Sequence, residues 1–198
     1  MTKIIAFAGR KQSGKTTCAE AVYQAFCADL LDTSAAKIYN FADPLKKDIC
    51  MNILGLTYDQ CYGSDIDKNT TTHLVWEGNN LTAREVMQIV GTDIFRKMYT
   101  NVWADSTINK IKTEKKQLAI IADCRFPNEV EAVRKSGGLV IKLTRNLHDS
   151  DHASEVALDE NNYDQRNFDL IVPNHKLSIR EQTNAVIHFL AYKGILPS

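Results

Sequence analysis

Short apolar runs alternate along the chain with segments whose apolar residues recur every three or four positions. That alternation predicts strands interleaved with helices. Lys3–Ala8 is a short apolar strand ending at Gly9. Lys15 to about Leu31 is a helix with Ala19, Val22, Phe26 and Leu30 on one stripe. Lys37–Phe41 is a second strand. Pro44 then opens a helix carrying Leu45, Ile49 and Ile53, proline being well suited to a first helical position. Tyr58–Asn80 is polar and irregular. Thr82 and Glu85 form a capping box that starts a helix running to about Met98, and another helical stretch reaches about Lys115. Leu118–Asp123 is a strand, Pro127–Ser136 a helix and Leu139–Thr144 a strand. Asn146–Asn167 is polar and reads as partly mobile. Asp169–Val172 is the last strand. Ser178 and Glu181 form a second capping box, whose helix carries Ala185, Val186, Phe189 and Leu190.

Several short apolar strands separated by helices predict a three-layer α/β/α architecture around a central parallel sheet of about five strands. Ligands of such sheets gather at the carboxyl ends of the strands. The most distinctive short motifs follow directly after strands, so they are expected to converge.

Gly9-Arg10-Lys11-Gln12-Ser13-Gly14-Lys15-Thr16 fits G-x-x-x-x-G-K-[ST] and is followed by Thr17. The glycines let the backbone curl so that its amides point inward as an anion nest. The helix starting near Lys15 aims the positive end of its dipole at the same place. Lys15 is placed to reach the β and γ phosphates of ATP, and the Thr16 hydroxyl to bind Mg2+. This identifies a P-loop NTPase fold. A GTPase would also carry D-x-x-G and N-K-x-D; neither occurs, and Asn174-His175-Lys176-Leu177 lacks the needed Lys and Asp.

The strand before Asp123 continues into Cys124-Arg125-Phe126-Pro127-Asn128-Glu129. A carboxylate at the end of a buried strand requires a partner or a metal. In a P-loop protein that place suits Asp123 acting on the Mg2+ ion, with Arg125 facing a phosphoryl group. A structural ion pair, or a cap on the helix at Pro127, is the plainer alternative. Helix positions Arg84, Gln88 and Gly91 share one face away from the stripe of Val86, Ile89, Val90 and Ile94, and Arg96 follows one turn after Thr92. Arginine suits a monophosphate through paired hydrogen bonds. Gln88 can read a base edge, and Gly91 leaves room for a ring or backbone. A solvated helix face with a tolerated glycine explains the same residues without a ligand.

The segment D-C-R-F-P-N-E, Asp123–Glu129, resembles the corresponding stretch of the deoxynucleoside monophosphate kinases of tailed bacteriophages. The resemblance extends to the P-loop, to Phe41-Ala42-Asp43-Pro44-Leu45-Lys46 and to Arg84 through Trp103. It implies a nucleoside monophosphate kinase-like fold, Mg2+ dependence and transfer of the γ phosphate of ATP to a dNMP. It places the Arg84–Thr92 segment in the monophosphate region and allows a homodimer. Phe41 and Asp43 are expected at the acceptor, one stacking on the base and the other holding the sugar or an arginine. Each could equally be core or cap. The whole chain then reads as one P-loop kinase domain, with an acceptor-binding helical region over about 44–115 and a lid-like segment over about 145–167.

A kinase must exclude water, and a closing lid that delivers an arginine does so; Arg145 is the candidate. His148 and His152, with neighbouring aspartates, suggest a metal site only weakly. Asn174, after the last strand, is expected in an adenine-facing loop by analogy of fold. Lys plus Arg and Asp plus Glu balance at 24 each among 198 residues, so stable binding to nucleic acid or an anionic membrane is not expected. No apolar run of about 20 residues is present. Five scattered cysteines without a C-x-x-C pair read as reduced thiols. Together with the short amino terminus, which is no secretory signal, they point to a cytoplasmic protein, of the host cell if phage-encoded. The residues leave open a kinase of another small acceptor, such as dephospho-coenzyme A or a nucleoside, and an NTP-driven switch or assembly ATPase.

Overall fold

The computed structural model describes residues 2–147 and 153–196. In chain order the elements begin with β1 (Lys3–Ala8), α1 (Lys15–Leu30) and β2 (Ala36–Tyr39). They continue with α2 (Tyr58–Tyr62), α3 (Asp65–Lys68), β3 (Thr71–Trp76), β4 (Asn79–Thr82), α4 (Ala83–Gln88) and α5 (Val102–Glu114). The remainder are β5 (Leu118–Cys124), α6 (Pro127–Lys135), β6 (Leu139–Leu143), α7 (Ala153–Val156), β7 (Leu170–Val172) and α8 (Ile179–Tyr192). The chain forms two compact units, Met1–Phe41 with Ile108–Ser198, and Ala42–Thr107.

The first unit is built on a five-stranded sheet of order β2-β5-β1-β6-β7, and every pairing is parallel. This is the predicted P-loop α/β architecture. The central strands are apolar on both faces because both are covered. Ile5, Phe7, Leu118, Ile120, Ile141 and Leu143 form one buried layer with Cys18, Ala19 and Val22 of α1 and Val186 and Leu190 of α8. The alternate residues Ile4, Ala6, Ala119, Ile121 and Val140 are buried too, and α6 packs over β1 and β6. Leu30, expected on the buried stripe of α1, is 42% exposed in the last helical turn, and Ala185 faces solvent because α8 is rotated to bury Gln182, Val186 and Leu190. Parallel pairing brings Gly9, Arg125, Arg145 and Asn174 to the same edge, since each follows the end of a strand.

The second unit departs further from expectation. Tyr58–Asn80 is not irregular: it holds α2, α3 and the β3–β4 hairpin. Glu77 and Gly78 turn the hairpin with φ of 50° and 83°, the pair of positive values that a two-residue type I′ turn requires. Its strands are largely exposed, so no alternation of buried and polar residues marks them in the sequence. The Pro44 helix is π-helical over Pro44–Met51, and Ile53 is 73% exposed. The Thr82 capping box forms as predicted, the Glu85 N–H donating to Thr82 Oγ1 and the Thr82 N–H to Glu85 Oε2. The helix it starts widens to π geometry over Ile89–Arg96, where the Lys97 N–H reaches back to Thr92 O. A π stretch changes the angular step per residue, so faces extrapolated at 3.6 residues per turn drift beyond Gln88.

Candidate active site

Backbone geometry shapes the phosphate loop. Gly9 has φ 142°, and a Cβ there would lie 2.5 Å from Leu143 O on the neighbouring strand. Gly14 has φ 101° and caps α1 with no side-chain acceptor, so the first amides of the helix are left for an external anion. Gln12, at φ 59°, adds a left-handed step to the curl. Gly9→Ala is expected to destabilise the first unit by at least about 2 kcal/mol, since a backbone carbonyl cannot swing aside. A lowered midpoint in thermal unfolding checks it.

The loop is braced from β7 and the turn after it. Asn174 is fully buried, and its Nδ2 donates to Ser13 O (2.8 Å) and to Gln182 Oε1 (2.7 Å). The Arg145 N–H donates to Asn174 Oδ1 (2.8 Å), and the Arg145 guanidinium donates to Asn174 O (2.9 Å) and Leu177 O (2.6 Å). Asn174 therefore faces inward and holds Ser13 rather than a base. Arg145 closes the same network and is bound to carbonyls in this conformation, not extended from a lid. Gln182, one turn into α8, lies against Gly14; the sequence signals it only as a polar residue on an apolar stripe.

Lys15 is 6% exposed, and its ammonium donates to Gly9 O (2.8 Å), Arg10 O and Ser13 Oγ (3.4 Å). Burial, helped by the Arg125 charge, pulls its pKa from 10.5 down to about 8, with Glu155, Asp123 and Cys124 pulling the other way. A lysine whose charge is so disfavoured is poised to gain from an arriving anion. Asp123, at the end of β5, accepts the Phe41 N–H at Oδ1 (2.7 Å), and the Gly9 N–H donates to Cys124 O next to it (3.4 Å). Phe41 is only 2% exposed, so its ring is a core group and its backbone is the part that meets Asp123. The Thr16 hydroxyl and the Asp123 carboxylate are hard oxygen donors. They suit Mg2+, which keeps water and phosphate oxygens as further ligands.

Glu129 is buried and accepts the N–H groups of Arg125 (2.8 Å) and Phe126 (3.1 Å). This fixes the entry into α6 and the place of Arg125. The Arg125 guanidinium pairs with Glu155, and Arg10 pairs with Asp159. These side chains border a cleft of about 300 Å3 that also includes Gly9 and Lys142. Lys142, a cation inside an otherwise apolar strand, donates to Leu158 O (2.8 Å) and Gln165 Oε1 (2.6 Å), with its pKa lowered by burial. The sequence shows its oddity but not its partners. His148 and His152 lie outside the described residues. Among the described residues, no cluster of three or more His, Cys, Asp or Glu could hold a metal.

In the second unit, Asp43 accepts from the Tyr62 hydroxyl (2.7 Å) and pairs with Lys47 (3.4 Å). Arg84 reaches Asn69 Oδ1 and Asp65 Oδ1, both at 2.9 Å, and is exposed. Gln88 is exposed and Arg96 half-buried. A Cβ on Gly91 would meet Leu45 Cδ2 at 2.5 Å, so the missing side chain makes room for Leu45 rather than for a ring. Trp103 is core, its Nε1 donating to Gly91 O (3.1 Å).

A phosphate loop between strand and helix, on a parallel sheet with an acid near the end of the adjacent strand, defines a P-loop protein of the NTP-binding class. The sequence profile of the deoxynucleotide monophosphate kinases matches residues 56–181. The match starts beyond the phosphate loop, so the motif and the profile are separate observations. A protein of Acanthamoeba polyphaga mimivirus, assigned as a deoxynucleotide monophosphate kinase, is 32% identical over 87% of this chain and 89% of its own. The deoxynucleoside-5'-monophosphate kinase of Escherichia phage T5 is 23% identical over 70% of this chain and 74% of its own. The chain belongs to the deoxynucleotide monophosphate kinase family. All five cysteines are free and buried, and no helix among the described residues is long and apolar enough to cross a membrane.

Proposed function

We propose that the protein transfers the γ phosphate of Mg-ATP to a deoxynucleoside monophosphate, giving a dNDP and ADP, in the cytoplasm where DNA precursors are made. The observation that carries this reading is the buried, charge-starved Lys15 inside a curled amide loop, in a chain of this family. The acceptor phosphate is already anionic, so the reaction needs positioning and charge neutralisation more than a strong base. Lys15 and the loop amides hold the ATP phosphates. Thr16 and Asp123 would hold Mg2+, which when bound would supply neutralisation of the phosphate charge. Arg125 stabilises the transferring group, and Arg145 and Asn174 keep the loop in shape from behind. Arg84, Gln88 and Arg96, with Asp43, are the proposed ligands of the acceptor.

An ADP-release assay with Mg-ATP and each of dGMP, dTMP, dCMP and dAMP, with products identified by chromatography, tests the function. A dNDP from at least one acceptor supports it. ADP without any dNDP, or no turnover by folded protein that binds ATP, refutes it.

The lowered pKa of Lys15 makes ATP binding pH-dependent in a defined direction. Between about 8 and 10.5 the free protein carries a largely neutral Lys15, whereas bound phosphates restore its charge. Binding at pH 9 is therefore expected to take up a proton, and binding at pH 7 none through this group. Calorimetry in two buffers of different ionisation enthalpy measures the uptake, and equal apparent enthalpies at pH 9 would contradict it.

A further inference from the structure

The phosphate loop already has a carboxylate seated on it. Glu155 Oε2 accepts the backbone N–H of Lys11 (2.6 Å), and Glu155 Oε1 pairs with the Arg125 guanidinium. Its side chain is only 13% exposed. A loop amide and an arginine fork are the donors that recognise a phosphate oxygen pair, and they recognise a carboxylate in the same way. The negative charge of Glu155 also acts on Lys15, in the direction a phosphate would. The contact is not an isolated side-chain excursion. Asp159, four residues on, grips Arg10 of the same loop, and Lys142 ties Leu158 and Gln165 to β6.

Resting on the reading that this loop binds ATP phosphates, we propose that Glu155 is a resident anion of the cradle, which the nucleotide must displace from Lys11 and Arg125 before it can bind. Nucleotide binding is then an exchange of one anion for another. The apparent affinity is the intrinsic affinity reduced by the fraction of molecules in which Glu155 has let go. This holds Arg125 in a set position before the nucleotide arrives, and it raises the ATP concentration needed to fill the site. Once displaced, the Glu155 charge repels the phosphates it made way for, so the exchange also favours product release.

Glu155→Gln keeps the shape and removes the charge. Mg-ATP and inorganic pyrophosphate are titrated calorimetrically into the wild type and this variant at fixed ionic strength. Loss of a charge-assisted competitor is expected to tighten both about tenfold. The gain should appear in KM for ATP and not in KM for the acceptor, a split that a purely structural role would not produce. If Glu155→Gln does not fold, Asp159→Asn, which loosens the same segment at Arg10, is expected to tighten both ligands by a smaller factor. Unchanged or weaker binding of both ligands by the folded variant overturns the proposal. A wild type that binds neither ATP nor pyrophosphate would instead refute the assignment of the loop itself.

Discussion

Lys15→Ala is expected to lower kcat by about a thousandfold while the protein stays folded. The size follows from removing one preorganised cationic donor aimed at charge that builds in the transition state. The sparing of the fold follows from the environment of the group. Lys15 is a buried ammonium whose charge is disfavoured, as its pKa of about 8 shows. The sign is that of a base whose folded pKa is depressed: the unfolded chain binds more protons between about 8 and 10.5, so stability rises with pH across that window and the burial penalty is full below it. Removing the side chain relieves that penalty but takes one donor from the carbonyls of Gly9 and Arg10, the latter keeping the Ser13 N–H. The two effects oppose one another, so the melting temperature should move little. Full turnover by a folded Lys15→Ala protein would refute the placement of ATP on this loop.

Asp123→Asn is expected to lower kcat by about a hundredfold at ordinary Mg2+ and to shift the Mg2+ titration to higher concentration. The substitution separates two roles of one side chain. Asparagine keeps an oxygen to accept the Phe41 N–H, so a residue that served only to tie β5 to the end of β2 would tolerate it. It removes the negative charge, so a metal ligand would not. Rate measured against Mg2+ decides between them. An unchanged midpoint and rate would leave Asp123 with a structural role and no metal role.

The parallel sheet, the phosphate loop and the capping boxes at Thr82 and Ser178 were legible from sequence because each is written in contiguous residues. Lys3–Ala8 followed by Gly9 through Thr16 is a strand, a turn and a helix start with a required residue at nearly every decisive place. The Thr82–Glu85 and Ser178–Glu181 boxes depend on a spacing of three residues and nothing distant. Motifs that follow parallel strands must share an edge, so the convergence of Lys15, Asp123 and Arg125 was also within reach. The hairpin was not. Its strands are mostly exposed, and the turn uses Glu77 where Asn or Asp would have signalled it.

What the sequence determined by itself is the chemistry offered: a phosphate-loop motif, a hydroxyl at Thr16 and a carboxylate at Asp123, and arginines at positions 84, 96, 125 and 145. What only the tertiary structure decided is how those groups are engaged. Asn174 turns inward to Ser13, Arg145 rests on carbonyls, Gly91 admits Leu45, and Glu155 occupies Lys11 and Arg125. The physical reason is that a side chain's type limits what it can bind, whereas its partner depends on which segments the fold brings within about 3 Å. For Asn174 and Ser13, or Glu155 and Lys11, those segments lie more than a hundred residues apart in sequence.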